Sequence, residues 1–155
     1  MSEDELNYLA DLLAKLRRAS DTLRYSYEIC RRIGVKAVYD EEERDRFESL
    51  TSKFARLSDL IVKQAIKIID LLDLESAPES VRDAINRAEK KGLIASAVTF
   101  VEIRKLRNRI SHEYVEPDGG IDEIYRAAVA MVPDLFDCVE RVHRYSERYF
   151  RSGEA

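Results

Sequence analysis

The feature that most constrains this chain is an apolar stripe that advances by threes and fours. Leu6, Leu9, Leu13, Leu16, Ser20, Leu23, Tyr27 and Cys30 follow one another at those intervals. An α-helix turns about 100° per residue, so such a series stays on one face over many turns. A second series runs through Phe47, Leu50, Phe54, Leu57, Ile61, Ala65, Ile68 and Leu72, and a third through Ile121, Ile124, Ala128, Val132, Leu135, Val139, Val142 and Tyr149. No segment alternates convincingly with the period of two that a half-buried strand requires. The expected fold is all-α: an antiparallel up-and-down bundle of about five helices, spanning residues 1–155 as one domain.

Boundary signals divide the stripe into elements. Ser2 and Glu5, then Asp40 and Glu43, have the spacing of a capping box. Gly34 follows Arg31 and Arg32, and cations favour the negative end of a helix dipole. Helix one is therefore placed at 5–33 and helix two at 41–74, paired antiparallel across a short loop. Between Leu60 and Leu72 the apolar arc widens to include Val62 and Ile69, which predicts a central, buried rod. Ser76-Ala77-Pro78-Glu79 ends that helix and opens helix three, 78–91, whose thin stripe of Val81, Ile85 and Ala88 predicts a surface position. Helix four is expected at 95–112. Pro117-Asp118-Gly119-Gly120 is the clearest turn, and helix five follows at 121–150. Pro133 inside it predicts a kink or a junction of two helices, and 151–155 reads as a frayed tail.

Composition narrows the class of partner. Charged residues are 36% of the chain, against about 25% in an average globular protein, as long helices with wet faces require. The net charge is −4, so a nucleic-acid site must be a local cationic patch, since phosphate contacts need clustered Lys and Arg. Cys30 and Cys138 lack metal-ligand spacing and read as small buried hydrophobes of a reducing compartment. The acidic start lacks a leader's apolar run, and no stretch approaches the roughly 18 apolar residues of a membrane span. The expected location is cytoplasmic, without a membrane partner.

One segment concentrates chemistry: Arg104-Lys105-Leu106-Arg107-Asn108-Arg109-Ile110-Ser111-His112-Glu113-Tyr114. It carries four cations in six residues and one of the two histidines. Imidazole exchanges a proton near neutral pH, and guanidinium grips phosphate through two N–H bonds. Together they suit RNA cleavage in which the 2′-OH attacks phosphorus: His112 moves protons and Arg107 holds the charge developing on the phosphoryl oxygens. His112 has no partner at metal-ligand spacing, and no metal or other cofactor is expected. Five residues is 140° around a regular helix, so Arg107 and His112 do not share a face by spacing alone. They meet if the helix ends near Ser111, if Arg107 reaches across with its long stem, or if two copies of the chain build a composite site. The structural alternative is a histidine favouring a helix C-terminus, and a solvated cationic face paired with Glu102 and Glu113. Elsewhere His143 reads as a surface polar residue, and Tyr25, Tyr27 and Tyr39 as core or rim. One Arg/His pair offers one acid–base group where cleavage uses two, which is itself a reason to expect a homodimer.

The longer pattern Arg107-Asn108-x-x-x-His112-x-Tyr114, late in an all-helical chain of this size, resembles the HEPN superfamily, and within it the HepT-type toxins. That resemblance implies a dimeric helical bundle with two motifs facing across a cleft, and a metal-independent endoribonuclease toxin with Arg107 and His112 as catalytic residues. It implies that Asn108 orients the site. It further implies that Tyr114 receives AMP from a separate MntA-type nucleotidyltransferase antitoxin using ATP, which silences the toxin. Arg104, Lys105 and Arg109 are the expected RNA-binding cations. A second reading is a non-catalytic HEPN subunit that presents a substrate to such a nucleotidyltransferase.

Overall fold

Helices begin in this protein where a side chain satisfies the free N–H groups of a first turn. In the computed structural model, which describes residues 1–112 and 121–150, the Ser2 hydroxyl accepts from the Glu5 N–H at 3.1 Å and the Glu5 carboxylate accepts from the Ser2 N–H. This capping box opens α1, Glu3–Ile33. Asp40 and Glu43 form the same reciprocal pair at the start of α2, Glu41–Leu60. A π-helical turn, Ile61–Ala65, leads without a break into α3, Ile66–Leu72, so the expected second helix is one rod with an irregular middle. Ser80 caps α4, Val81–Lys91. Ser96 caps α5, Ala97–Ser111, and α6 is Ile121–Tyr149. Among the described residues there is no strand, and the chain is an all-α bundle.

Side-chain contacts fix the directions. Tyr8 meets Gln64 while Cys30 meets the Arg46 carbonyl, so α1 runs antiparallel to the α2–α3 rod. Leu93, just before α5, accepts from the Cys138 thiol, and Arg109 near the end of α5 pairs with Glu123, so α5 and α6 are antiparallel. Arg17 pairs with Glu140, and Tyr27 packs edge-on to Phe136. These contacts seat α6 against α1 as well.

The three apolar stripes meet in one cluster of buried side chains reaching from Leu9 to Phe150. The widened arc is central as expected: Leu60, Ile61, Ala65, Ile66, Ile68, Ile69 and Leu72 are all buried. Truncating any one of the Leu or Ile side chains among these to Ala would cost about 2–5 kcal/mol, the usual range for a core truncation. Phe47 stacks on Tyr125 with ring centroids 4.7 Å apart, and Tyr39 closes edge-on over both. The α4 helix buries only Ile85 and Ala88 and lies at the surface, as its thin stripe predicts. Cys30 and Cys138 are free and buried. Burial raises their thiols to about 11 and about 12, which leaves both inert as nucleophiles at neutral pH.

Some boundaries differ from the sequence expectation. Pro78 lies before α4 rather than in its first turn, because the Ser80 hydroxyl supplies the cap two residues later. Pro133 lies within a single continuous α6 and faces solvent; there the carbonyl deprived of its helical donor can turn to water. The ends of α3 and α4 form a contrast. Gly92 closes α4 at φ 82°, where a residue without Cβ is relaxed. Leu74 takes the same left-handed region after α3 at φ 60°, with its side chain 91% exposed.

Candidate functional site

The α5 helix is anchored at its start by a backbone bond and along its last turns by its arginines. At the start, Glu89 of α4 accepts from the Ala97 N–H at 2.6 Å. Ala97, Phe100, Ile103 and Leu106 then turn one face into the core. Arg104 and Arg107 each lie one position past a buried residue, three apart, and so emerge together along the seam with α2.

Both reach the same carboxylate. Arg107 donates from Nε to Asp59 Oδ1 and from Nη2 to Asp59 Oδ2, each at 2.9 Å, in the two-pronged geometry that fits a guanidinium to a carboxylate. Arg104 Nη1 donates to Asp59 Oδ1 at 2.7 Å and to the Ser58 hydroxyl at 3.0 Å. Lys63 lies 3.7 Å from Oδ2. Partial burial alone would raise the Asp59 carboxyl, but the hydrogen bonds from Arg107 and Arg104 outweigh it and hold the group at about 2. The pairing raises Arg107 further above its already high value. A third Arg107 donor, Nη1, reaches the Ser111 hydroxyl one turn on, at 2.8 Å.

Ser111 is the last helical residue, and His112 caps α5 with φ −106° and ψ 7°, its N–H donating to the Arg109 carbonyl at 3.1 Å. Of the three routes open in the sequence, the helix does end near Ser111, but among the described residues Arg107 bonds to Asp59 and Ser111 and not to His112. His112 and Asn108 are exposed at this end, and Arg107 keeps 24% of its side-chain surface. Tyr114 lies outside the described residues.

The remaining cations point elsewhere. Lys105 pairs with Glu102 at 3.2 Å and Arg109 with Glu123 at 3.4 Å, both on exposed surface. The structure therefore joins Arg104 and Arg107 into one site and leaves Lys105 and Arg109 as separate solvated pairs. His143 is half-buried rather than on open surface, with Nε2 3.1 Å from the Leu13 carbonyl. Burial and the nearby Arg17 lower its pKa, so it acts as a strut between α6 and α1.

Asp59 and Ser58 are the site residues that stripe-reading passes over. Their signal is a polar pair between Leu57 and Leu60, inside an otherwise widening apolar arc. The π turn begins two residues later, and such turns inside α-helices are frequent at functional sites. Among the described residues no helix is long and apolar enough to cross a membrane. In comparisons with known proteins, no family model and no curated protein matches this chain.

Proposed function

We propose that this protein is a metal-independent endoribonuclease of the HEPN type, a HepT-like toxin that works as a homodimer in the cytoplasm. The observation that carries the reading is the end of α5: a fixed guanidinium and an exposed imidazole at the helix cap, in the order Arg107-Asn108-x-x-x-His112. Two such ends facing across a twofold axis would supply a base and an acid. His112 takes the proton of an RNA 2′-OH as that oxygen bonds to phosphorus. His112 of the partner subunit gives a proton to the departing 5′ oxygen as its bond to phosphorus breaks. The products are a cyclic 2′,3′-phosphate and a free 5′-OH. Arg107 steadies the charge on the non-bridging oxygens, Asn108 orients the site, and Arg104 holds a flanking phosphate, joined by Lys105 and Arg109 where the RNA displaces their exposed partners Glu102 and Glu123. Tyr114 is the residue that a separate nucleotidyltransferase, with ATP as donor, caps with AMP.

The test is digestion of defined RNAs with end-mapping. Wild type should leave 2′,3′-cyclic ends, and His112→Ala should abolish them; intact RNA with the wild-type dimer, or a fully active His112→Ala, rejects the reading. Co-expression with a nucleotidyltransferase encoded beside it should add the mass of one AMP to wild type and none to Tyr114→Phe. An adduct on the Phe variant removes the role of Tyr114.

One observation favours a second reading. Arg107 already meets a carboxylate within its own chain, which suits a binding subunit that presents a substrate to its nucleotidyltransferase and cleaves nothing. Such a protein would bind RNA or nucleotide yet leave the defined RNAs whole.

A further inference from the structure

A guanidinium has five N–H groups. In Arg107, Asp59 takes the Nε–H and one Nη2–H, and Ser111 takes one Nη1–H. Two N–H groups are left, one on each Nη nitrogen, without a partner among the described residues. The side chain is clamped on two sides, and among the described residues nothing else holds it. An arginine on a free stem would lose rotamer entropy when ordered on a ligand, whereas this one is ordered beforehand.

We infer that Asp59 is a positioning residue: it holds the Nε edge of Arg107 so that the remaining pair of N–H groups is presented, in a fixed plane, to the oxygens of a phosphodiester. This deepens the ribonuclease reading above and rests on it. Three features of the α2–α5 seam argue for it. Asp59 receives both arginines of the seam, so one carboxylate sets the angle of the guanidinium. Three cations, Arg104, Arg107 and Lys63, surround that single anion, so the cluster keeps a positive excess for an anionic ligand. The π turn at Ile61–Ala65 begins two residues after Asp59; Asp59 reaches α5 while Ile61 and Ala65 stay in the core.

A merely electrostatic role makes the opposite prediction. Removing a negative charge beside three cations should tighten RNA binding and lower KM. Loss of positioning should instead lower kcat, because an oxyanion donor that must first be oriented stabilises the transition state less.

The experiment uses Asp59→Asn in the full chain, checked for native helicity. It expects kcat for a defined RNA to fall at least tenfold with KM changed less than about threefold. In the arginine side-chain NMR spectrum, the Arg107 Nε–H signal should be protected from exchange in wild type and exchange faster in the variant, whose neutral amide offers one acceptor oxygen in place of two. Unchanged kcat, a fall confined to KM, or an unchanged Nε–H signal overturns the inference. Should the Asn variant not fold, Asp59→Glu keeps the charge but moves it by one methylene, and the same fall in kcat is expected. If wild type cleaves nothing, the ribonuclease reading has failed by itself, and a 2′-deoxy oligonucleotide that cannot be cleaved becomes the probe. Perturbation of the Arg107 Nε–H signal in wild type but not in Asp59→Asn then keeps the positioning role, and no perturbation in wild type removes it.

Discussion

Two clusters of carboxylates and cations tie helices together in this protein, and they differ in what they leave over. At the α2–α5 seam, Asp59 holds Arg104 and Arg107. At the C-terminal end of the rod, Lys91 of α4 reaches Asp70 and Asp73 at 2.8 Å each and Glu75 at 3.4 Å. Arg87 adds contacts to Asp70 and the Ser76 carbonyl, and the Tyr145 hydroxyl of α6 donates to Asp73 at 2.6 Å. This second cluster is the more enclosed, with the Lys91 and Asp70 side chains only 12% and 9% exposed. Burial alone would lower the Lys91 amine, but hydrogen bonds from it to Asp70 and Asp73 outweigh that and raise it. Burial, then the bond to Asp73, pushes the Tyr145 phenol up. Lys91 donates to Asp70 and Asp73 and forms a longer ion pair with Glu75, and the cluster works as a lock joining α3, α4 and α6. The difference teaches that paired charge does not mark a site. What separates the two is that Arg107 keeps two N–H groups without a partner among the described residues.

The largest expected effects form a crossed pair. Arg107→Ala should lower RNA cleavage about 10²–10³-fold and change the free energy of unfolding by less than about 1 kcal/mol, since its partner is only partly buried. Lys91→Met should do the reverse. It takes the amine from the buried Asp70 and should lose about 3 kcal/mol in urea unfolding, while cleavage per folded molecule stays at the wild-type level. Stability effects of equal size would erase the distinction between lock and site.

A smaller effect is acid sensitivity. The folded Asp59 carboxyl stands at about 2 against an ordinary 3.8. A lowered carboxyl contributes stability fully above its unfolded value and loses it as pH falls through the folded one. The contribution should therefore be intact at pH 5.5 and decline from about pH 4 toward pH 2. Its size is about 1 kcal/mol, reduced from the full linkage value because the group remains partly wet. Unfolding of wild type and Asp59→Asn at pH 5.5 and 2.5 measures it: the gap between them should narrow in acid. A constant gap would mean that the Asp59 charge contributes nothing to the fold.

Much of the architecture was legible in the residues alone, because it depends on neighbours three and four positions apart. Ser2 with Glu5 and Asp40 with Glu43 announced helix starts, and the stripe from Leu60 to Leu72 announced the central rod. What determines these is local: a hydroxyl or carboxylate reaching its own N3 amide, and a face that must be apolar along its length. The order Arg107-Asn108-x-x-x-His112, and its place near a helix end, also belonged to the sequence. Tertiary packing alone chose Asp59 as the partner of an arginine 48 residues away, buried Asp70 within an apolar arc, and drew His143 onto the Leu13 carbonyl. Those outcomes depend on how helices rotate and cross, and periodicity along one chain says which face turns inward without saying which polar group it will meet.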